Sequence, residues 1–244
     1  MVRMPVSTLP TCFTPEAMKF LRGLKRNNDR EWFEARRAVY ERAVKTPMLA
    51  LVEGITAAME AFAPEHVRPA NKVVMRIYRD TRFSANKTPY KTHLAAWWSR
   101  RGMEKTSGGG FYLQVGPQEV MVTAGVYMPE REQLLAIRRW MSARHTEYRA
   151  ETARLLRSKT LGFTGIDAQA LTRMPKGFAP DDPAGELLRA RSWGVHAILP
   201  AELALEPALA AEVVKRLKAS APLVAMLNGA ILETSPVVVR RPMF

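Results

Sequence analysis

At 244 residues the chain can bury a core and can make one large domain or two small ones. Hydrophobic residues make up 47% and charged residues 25%, no apolar run reaches membrane-spanning length, and MVRMPVSTLPTCF lacks the charged start and apolar core of an export signal. The lone Cys12 excludes an intrachain disulfide, and without an export signal a cytoplasmic location is expected. The net charge of +14, with pI near 10.3, favours polyanionic partners: nucleic acid, nucleotides, phosphorylated substrates or an anionic membrane surface. An arginine-rich, alanine-rich composition and solvated helix faces such as REWFEARRAVYERAVK account for the same charge without function, so local clustering carries more weight than the total.

Met1 to Thr11 reads as a loose arm within an N-terminal stretch of 1–13. Thr14-Pro15 reads as a cap followed by proline at the first helical position, opening a helix with Phe20, Leu21 and Leu24 inward. Asn28 and Glu31 have capping-box spacing for a second helix, with Trp32, Phe33, Val39 and Tyr40 on its apolar side. Thr46-Pro47 repeats the start signal for a third, which runs to Pro64. The period then changes. KVVMRIYRD reads as a strand, and GGFYLQVG and EVMVTAGVYM read as two more, joined across Gly116-Pro117-Gln118 as a hairpin. Pro129 opens a helix with Leu134, Leu135 and Ile137 inward, and another covers Thr146 to Ser158. LTRMPKGFAPDDPAGELL is loop, RSWGVHAIL a short strand, and helices over Glu206–Ala219 and Pro222–Leu232 precede a tail from 233 to 244. Helices, a block of strands, then helices predict an α+β fold with an antiparallel or mixed central sheet flanked by N- and C-terminal helices.

Strand alternation separates two faces. Val73, Met75 and Ile77 share one; Arg76, Tyr78 and Asp80 share the other, extended by Tyr112, Gln114, Thr123 and Tyr127. Phenols offer stacking and a hydrogen bond, and arginine offers a fork for carboxylate or phosphate. The following loop places Arg76, Arg79, Arg82, Lys87 and Lys91 against Asp80 alone. Concentrated cations invite an anion. The sequence therefore predicts a phosphate-ligand site, for a nucleotide or nucleic acid, on Arg76, Tyr78, Arg79, Arg82, Lys87, Tyr90, Lys91, Tyr112 and Tyr127, with Phe83 as a further wall. A solvated basic strand with one structural Arg–Asp pair is the plainer alternative.

Other constellations are sparse. No metal-binding spacing joins the four histidines, no Walker, dinucleotide or nucleophile-elbow motif is present, and no cofactor is called for. Asp80 and His93, with Tyr90, could form a proton relay in a hydrolase. A Mg²⁺-dependent nuclease would want convergent carboxylates, and Asp80 has no sequence partner for that, though Glu104 or Glu119 could fold near it. Trp97-Trp98 suits packing better than base stacking, and Gly108-Gly109-Gly110 suits a flexible hairpin end better than a phosphate cradle. A basic module that meets an acidic protein is a third reading.

RIYRDTRFSANKTPYKTH resembles the signature of the DUF2461 family of bacterial and some fungal proteins, approximately R-x-x-R-D-x-R-F-S-x-x-K-x-P-Y-K-T. Arg76, Arg79, Asp80, Arg82, Phe83, Ser84, Lys87, Pro89, Tyr90, Lys91 and Thr92 fit it. FLRGLKRNNDREWFEARRAVYE resembles the family's N-terminal helices, GGFYLQVGPQEVMVTAGVYMPE its strand pair and MPKGFAPDDPAGELLRARSW its late loop. Ala85-Asn86 stands where a Lys-Asp pair is common, and the family tolerates other residues at the position of His93. The resemblance implies a single domain over 14–232 and an important motif, and it implies no reaction.

Overall fold

A computed structural model of the chain describes residues 12–103 and 108–234. The expectations for the arm before Cys12, for Glu104 and for the tail beyond Thr234 lie outside the described residues. Proline at the first helical position opens α1 (Pro15–Arg26), whose Ala17, Met18, Phe20, Leu21 and Leu24 are buried. The expected Asn28–Glu31 box is not what caps α2 (Arg30–Glu34). Asp29 does so, its carboxylate accepting from the Trp32 amide at 2.8 Å. Thr46 is not a fresh start either. The chain is already helical through α3 (Arg37–Val39) and a π-helical turn, Tyr40–Lys45, and runs directly into α4 (Thr46–Met59). The Thr46 hydroxyl bonds back to the Glu41 carbonyl at 2.8 Å, so it serves the turn behind it and caps nothing ahead.

The expected strand over 72–80 is also corrected. Ala70–Val73 coils into the short helix α5, and beyond it the chain is extended but paired only at isolated bridges, Val74 with Ala96 and Tyr78 with Tyr90. Alternation survives the loss of regular pairing: Val73 and Ile77 are buried, while Arg76, Tyr78 and Asp80 are exposed. The regular edge strand is instead β1 (Leu94–Ser99), whose apolar run LAAWWS fits a buried strand. Trp98 is fully buried, its indole N–H donating to the Thr56 hydroxyl at 2.9 Å and its carbonyl accepting from His66 Nδ1 at 3.0 Å.

The hairpin forms as expected from β2 (Gly110–Val115) and β3 (Glu119–Val126), with the Gly116 amide donating to the Glu119 carbonyl at 2.9 Å across the turn. After it comes α6 (Arg131–Arg157), one helical run where two were expected; Arg144 (φ −135°, ψ 27°) kinks it near the expected break. Ala136, Ile137, Trp140 and Met141 make its buried side, and Leu135 is exposed. The short β4 (Phe163–Gly165) was not expected. Then follow α7 (Gly185–Arg189) within the Pro/Gly-rich loop, β5 (Trp193–Pro200) and α8 (Leu209–Thr234). Pro222 lies inside α8 rather than opening a new helix. Its missing N–H removes one helical bond, and the buried face of Leu217, Leu223, Val224, Leu227 and Ile231 carries the helix through.

The strands form an antiparallel sheet in the order β1-β2-β3-β5-β4. Gly125 and Gly194 permit a close approach of β3 and β5. A Cβ on Gly125 would stand 2.1 Å from the Trp193 carbonyl oxygen, and one on Gly194 2.3 Å from that of Ala124. The fold is α+β with helices at both ends of the chain, as expected. The chain divides into two compact units. One holds the residues up to Trp98 with Tyr112–Val122 and Ile198–Lys218; the other holds Ser99–Phe111, Thr123–Ala197 and the residues from Ala219 on. No helix among the described residues is long and apolar enough to cross a membrane.

Candidate functional site

In the first unit the motif folds back on itself as a loop with a pinned base. The Arg79 amide donates to the Pro89 carbonyl and the Lys91 amide to the Ile77 carbonyl, both at 2.8 Å, on either side of the Tyr78–Tyr90 bridge. Asn28 clamps the same point from the N-terminal helices. Its side-chain amide accepts from the Tyr90 amide and donates to the Tyr90 carbonyl, both at 3.0 Å. A primary amide can do this because it carries a donor and an acceptor side by side, as a backbone strand does. Tyr90 is only 2% exposed and its ring stacks on Phe33, with centroids 4.2 Å apart and planes 15° apart. Tyr78 lies 5.3 Å from Tyr90, and Phe33 continues the cluster to Tyr40 and Phe20.

Within the loop, Arg79 spends its guanidinium on Thr88, donating to its carbonyl at 3.3 Å and to its hydroxyl. Asn86 accepts from the Thr88 amide at 3.0 Å, and Lys87 Nζ donates to the Thr81 carbonyl at 3.0 Å. The Arg79 and Lys87 bonds run from one arm of the loop to the other, and the Asn86 bond turns the second arm locally. They leave the tip exposed: Phe83 keeps 95% of its surface open, with the Arg82 guanidinium 5.6 Å from its ring centre. Arg82 also grips Asp80 through two parallel bonds of 3.0 and 2.8 Å, and its amide donates to the same carboxylate at 3.2 Å. The Arg82 side chain, then its amide, hold the Asp80 carboxyl down at about 2, with the charge of Arg76 adding to the effect.

The N-terminal helices add cations beside this loop. Arg37 donates to the Tyr78 hydroxyl at 3.4 Å while forking onto Glu34, and Arg36 lies 4.5 Å over the Trp32 ring. Sequence reasoning assigned these arginines to a solvated helix face and Asn28 to a cap. The available signal was the aromatic spacing of Trp32, Phe33 and Tyr40, which shows that this face is covered by other rings.

His93 stands apart from Asp80. It lines a small polar cavity of about 120 Å³ with Thr92, Gln114 and the turn Gly116–Glu119. There Tyr112 donates its hydroxyl to Gln114 and Gln114 its amide to Glu119, each at 3.2 Å. Burial, then the charge of Lys91, lowers the His93 pKa and favours the neutral ring; burial alone pushes the Tyr112 phenol up to about 12. Among the described residues, the carboxylate of Asp80 bonds to Arg82 groups and not to His93. Tyr127 is exposed and belongs to the second unit, beyond the end of β3. Gly109 is not a loose hairpin end: the buried Asn228 side chain accepts from its amide at 2.7 Å and donates to its carbonyl at 3.1 Å. No group of three or more His, Cys, Asp or Glu that could hold a metal ion occurs among the described residues.

No curated protein matches the chain. A family model described as a conserved hypothetical protein, DUF2461, matches residues 16–226, a span that takes in the N-terminal helices, the motif loop, the hairpin and the Pro/Gly-rich loop. With that span covering most of its 244 residues, the chain belongs to the DUF2461 family.

Proposed function

We propose that the loop 76–93 binds a phosphate-bearing ligand, and that single-stranded nucleic acid suits it better than a free nucleotide. The observation that carries this is Phe83, an almost fully exposed aromatic ring on a loop whose base is pinned, with Arg82 beside it and Lys87 on the opposite arm. An exposed phenyl ring gains nothing from water, whereas it stacks on any base, and neighbouring cations follow the backbone phosphates. Arg76, Arg82 and Lys87 are the proposed phosphate contacts, with Arg36 and Arg37 flanking them and the exposed Tyr78 as a second ring. Tyr90, Arg79 and Asn28 would hold the loop in shape without touching ligand.

The test is fluorescence anisotropy with a labelled single-stranded oligonucleotide over a salt series, beside thermal shifts with a nucleotide panel. Binding at low salt that weakens as salt rises is expected, with a log–log slope shallower by ~0.7 for each of Arg82→Ala and Lys87→Ala. Phe83→Ala should weaken binding by about 1–3 kcal/mol. No response at low salt to any phosphorylated ligand sinks the proposal.

A hydrolytic reading has one observation in its favour, the His93 cavity. It would pair His93 with Glu119 in place of Asp80, in a space that admits a few water molecules. Turnover of a phosphate-ester panel by the wild type, lost in His93→Gln with melting unchanged, would support it; equal turnover in both would remove it.

A further inference from the structure

A second cationic feature lies in the second unit, away from the motif in sequence and independent of the reading above. Arg138, on the buried side of α6, is only 8% exposed. Its Nη2 donates to the Ala190 carbonyl at 3.1 Å, while its Nε is enclosed with no hydrogen-bond partner. The carbonyl it bonds belongs to the residue next to Arg191, and burial, then the charge of Arg191, lowers the pKa of Arg138. The charge of Arg191 thus bears on a guanidinium that is already desolvated.

Guanidinium cannot relieve this by giving up its proton near neutrality. A buried charge is stable only when paired or fully hydrogen-bonded, and two acids of the adjoining segment, Asp182 and Glu186, are engaged elsewhere. Asp182 accepts from the Ser142 hydroxyl at 2.5 Å and the Ala184 amide at 2.8 Å, and Glu186 takes Arg149 at 2.9 Å. The backbone here is fixed. The Arg191 amide donates to the Ala168 carbonyl and the Leu171 amide to the Arg189 carbonyl, both at 2.8 Å.

We propose that Arg138 and Arg191 form a binding site for an oxyanion, the phosphate or carboxylate group of a small molecule. The terminal amino edge of the Arg138 guanidinium, with the Arg191 guanidinium, makes the planar set of N–H donors that such a group accepts, and the enclosed Nε–H behind it reports the change in charge. Arg191 is exposed and gives the anion its approach. The ligand replaces the missing counter-charge, so binding stabilises the folded chain.

The experiment uses the full chain with inorganic phosphate, sulfate and acetate, each against chloride at matched ionic strength. It follows melting temperature and the side-chain Nε–H resonance of Arg138. Saturable movement of that resonance with a rise in melting temperature is expected. Arg191→Gln should weaken the best anion about tenfold, and Arg138→Gln should abolish the response. A response to phosphate and sulfate alone identifies a phosphoryl ligand, and an equal or stronger one to acetate a carboxylate. In an Arg82→Ala/Lys87→Ala chain the Arg138 resonance should still move as it does in the wild type, whatever share of the melting response to phosphate the motif loop carries, which separates this site from that loop. If Arg138→Gln does not fold, the resonance and Arg191→Gln still decide. A resonance unmoved by all three anions, or saturation unchanged in Arg191→Gln, overturns the proposal.

Discussion

Arg79 and Arg82 are three residues apart and carry the same side chain, yet they sit in different worlds. Arg79 lies at the base of the motif loop and spends its guanidinium on Thr88 of the opposite arm. Arg82 lies at the exposed tip, forked onto Asp80 and close to Phe83. The aromatic residues divide the same way: Tyr90 is stacked and buried at the base, Phe83 open at the tip. One dense signature therefore holds two functions, a clamp that shapes the loop and a surface that can meet a partner. Substitutions at the base should cost stability, and substitutions at the tip should cost binding.

Tyr90→Ala breaks this division most severely if it is wrong. Removing a fully packed ring from its stack on Phe33 should cost about 3–5 kcal/mol, read as a lower urea midpoint with the same slope. A loss well below 1 kcal/mol would mean that the base is no anchor. Asn28→Ala comes next. It leaves both backbone groups of Tyr90 without their side-chain partners, and a loss of about 1–3 kcal/mol is expected. Faster amide exchange at Tyr90 should accompany it.

The base was less legible in the sequence than the tip. Cation density marked Arg82 and Lys87 directly, because exposed charge needs no partner to be recognised. Tyr90 reads as a ligand wall from composition alone; only the covering ring of Phe33, far away in sequence, shows that it is packed. Asn28 was misread for the same reason, since its spacing to Glu31 is local and its bond to Tyr90 is not. Alternation located the exposed side of 76–80 correctly even though the segment is not a regular strand, because facing depends on an extended backbone and not on its pairing. Pro222 and Thr46 failed as helix boundaries because tertiary burial overrides a local stop or start signal.

Tip substitutions sharpen the comparison from the other side. Phe83→Ala and Lys87→Ala should each leave stability within about 0.5 kcal/mol of the wild type, because little of either is buried. The urea midpoint checks this in the same samples used for oligonucleotide binding. A large stability loss in Phe83→Ala would place the tip with the base, and the exposed ring would need a structural explanation.

The smallest effect concerns Asp80, where tip and base meet along the chain. Its folded pKa is depressed to about 2 by Arg82. An aspartate free of that partner titrates at about 3.9. The folded state therefore binds its proton less readily than the unfolded state, and the pair's contribution to stability is present above about pH 4 and lost as pH falls toward 2. Both groups are exposed and screened by salt, so the contribution is small. The side-chain carboxyl carbon of Asp80, followed by NMR, should titrate near 2 in the wild type and move toward the ordinary value in Arg82→Ala. Because Asp80 stays ionised through the neutral range, it also keeps one fork of Arg82 occupied there. A phosphate must then bind Arg82 beside Asp80 or displace it, and Asp80→Asn should tighten oligonucleotide binding at pH 7 if displacement occurs. Weaker binding in Asp80→Asn would mean instead that Asp80 orients Arg82 for the ligand, extending the clamp of the base out to the tip.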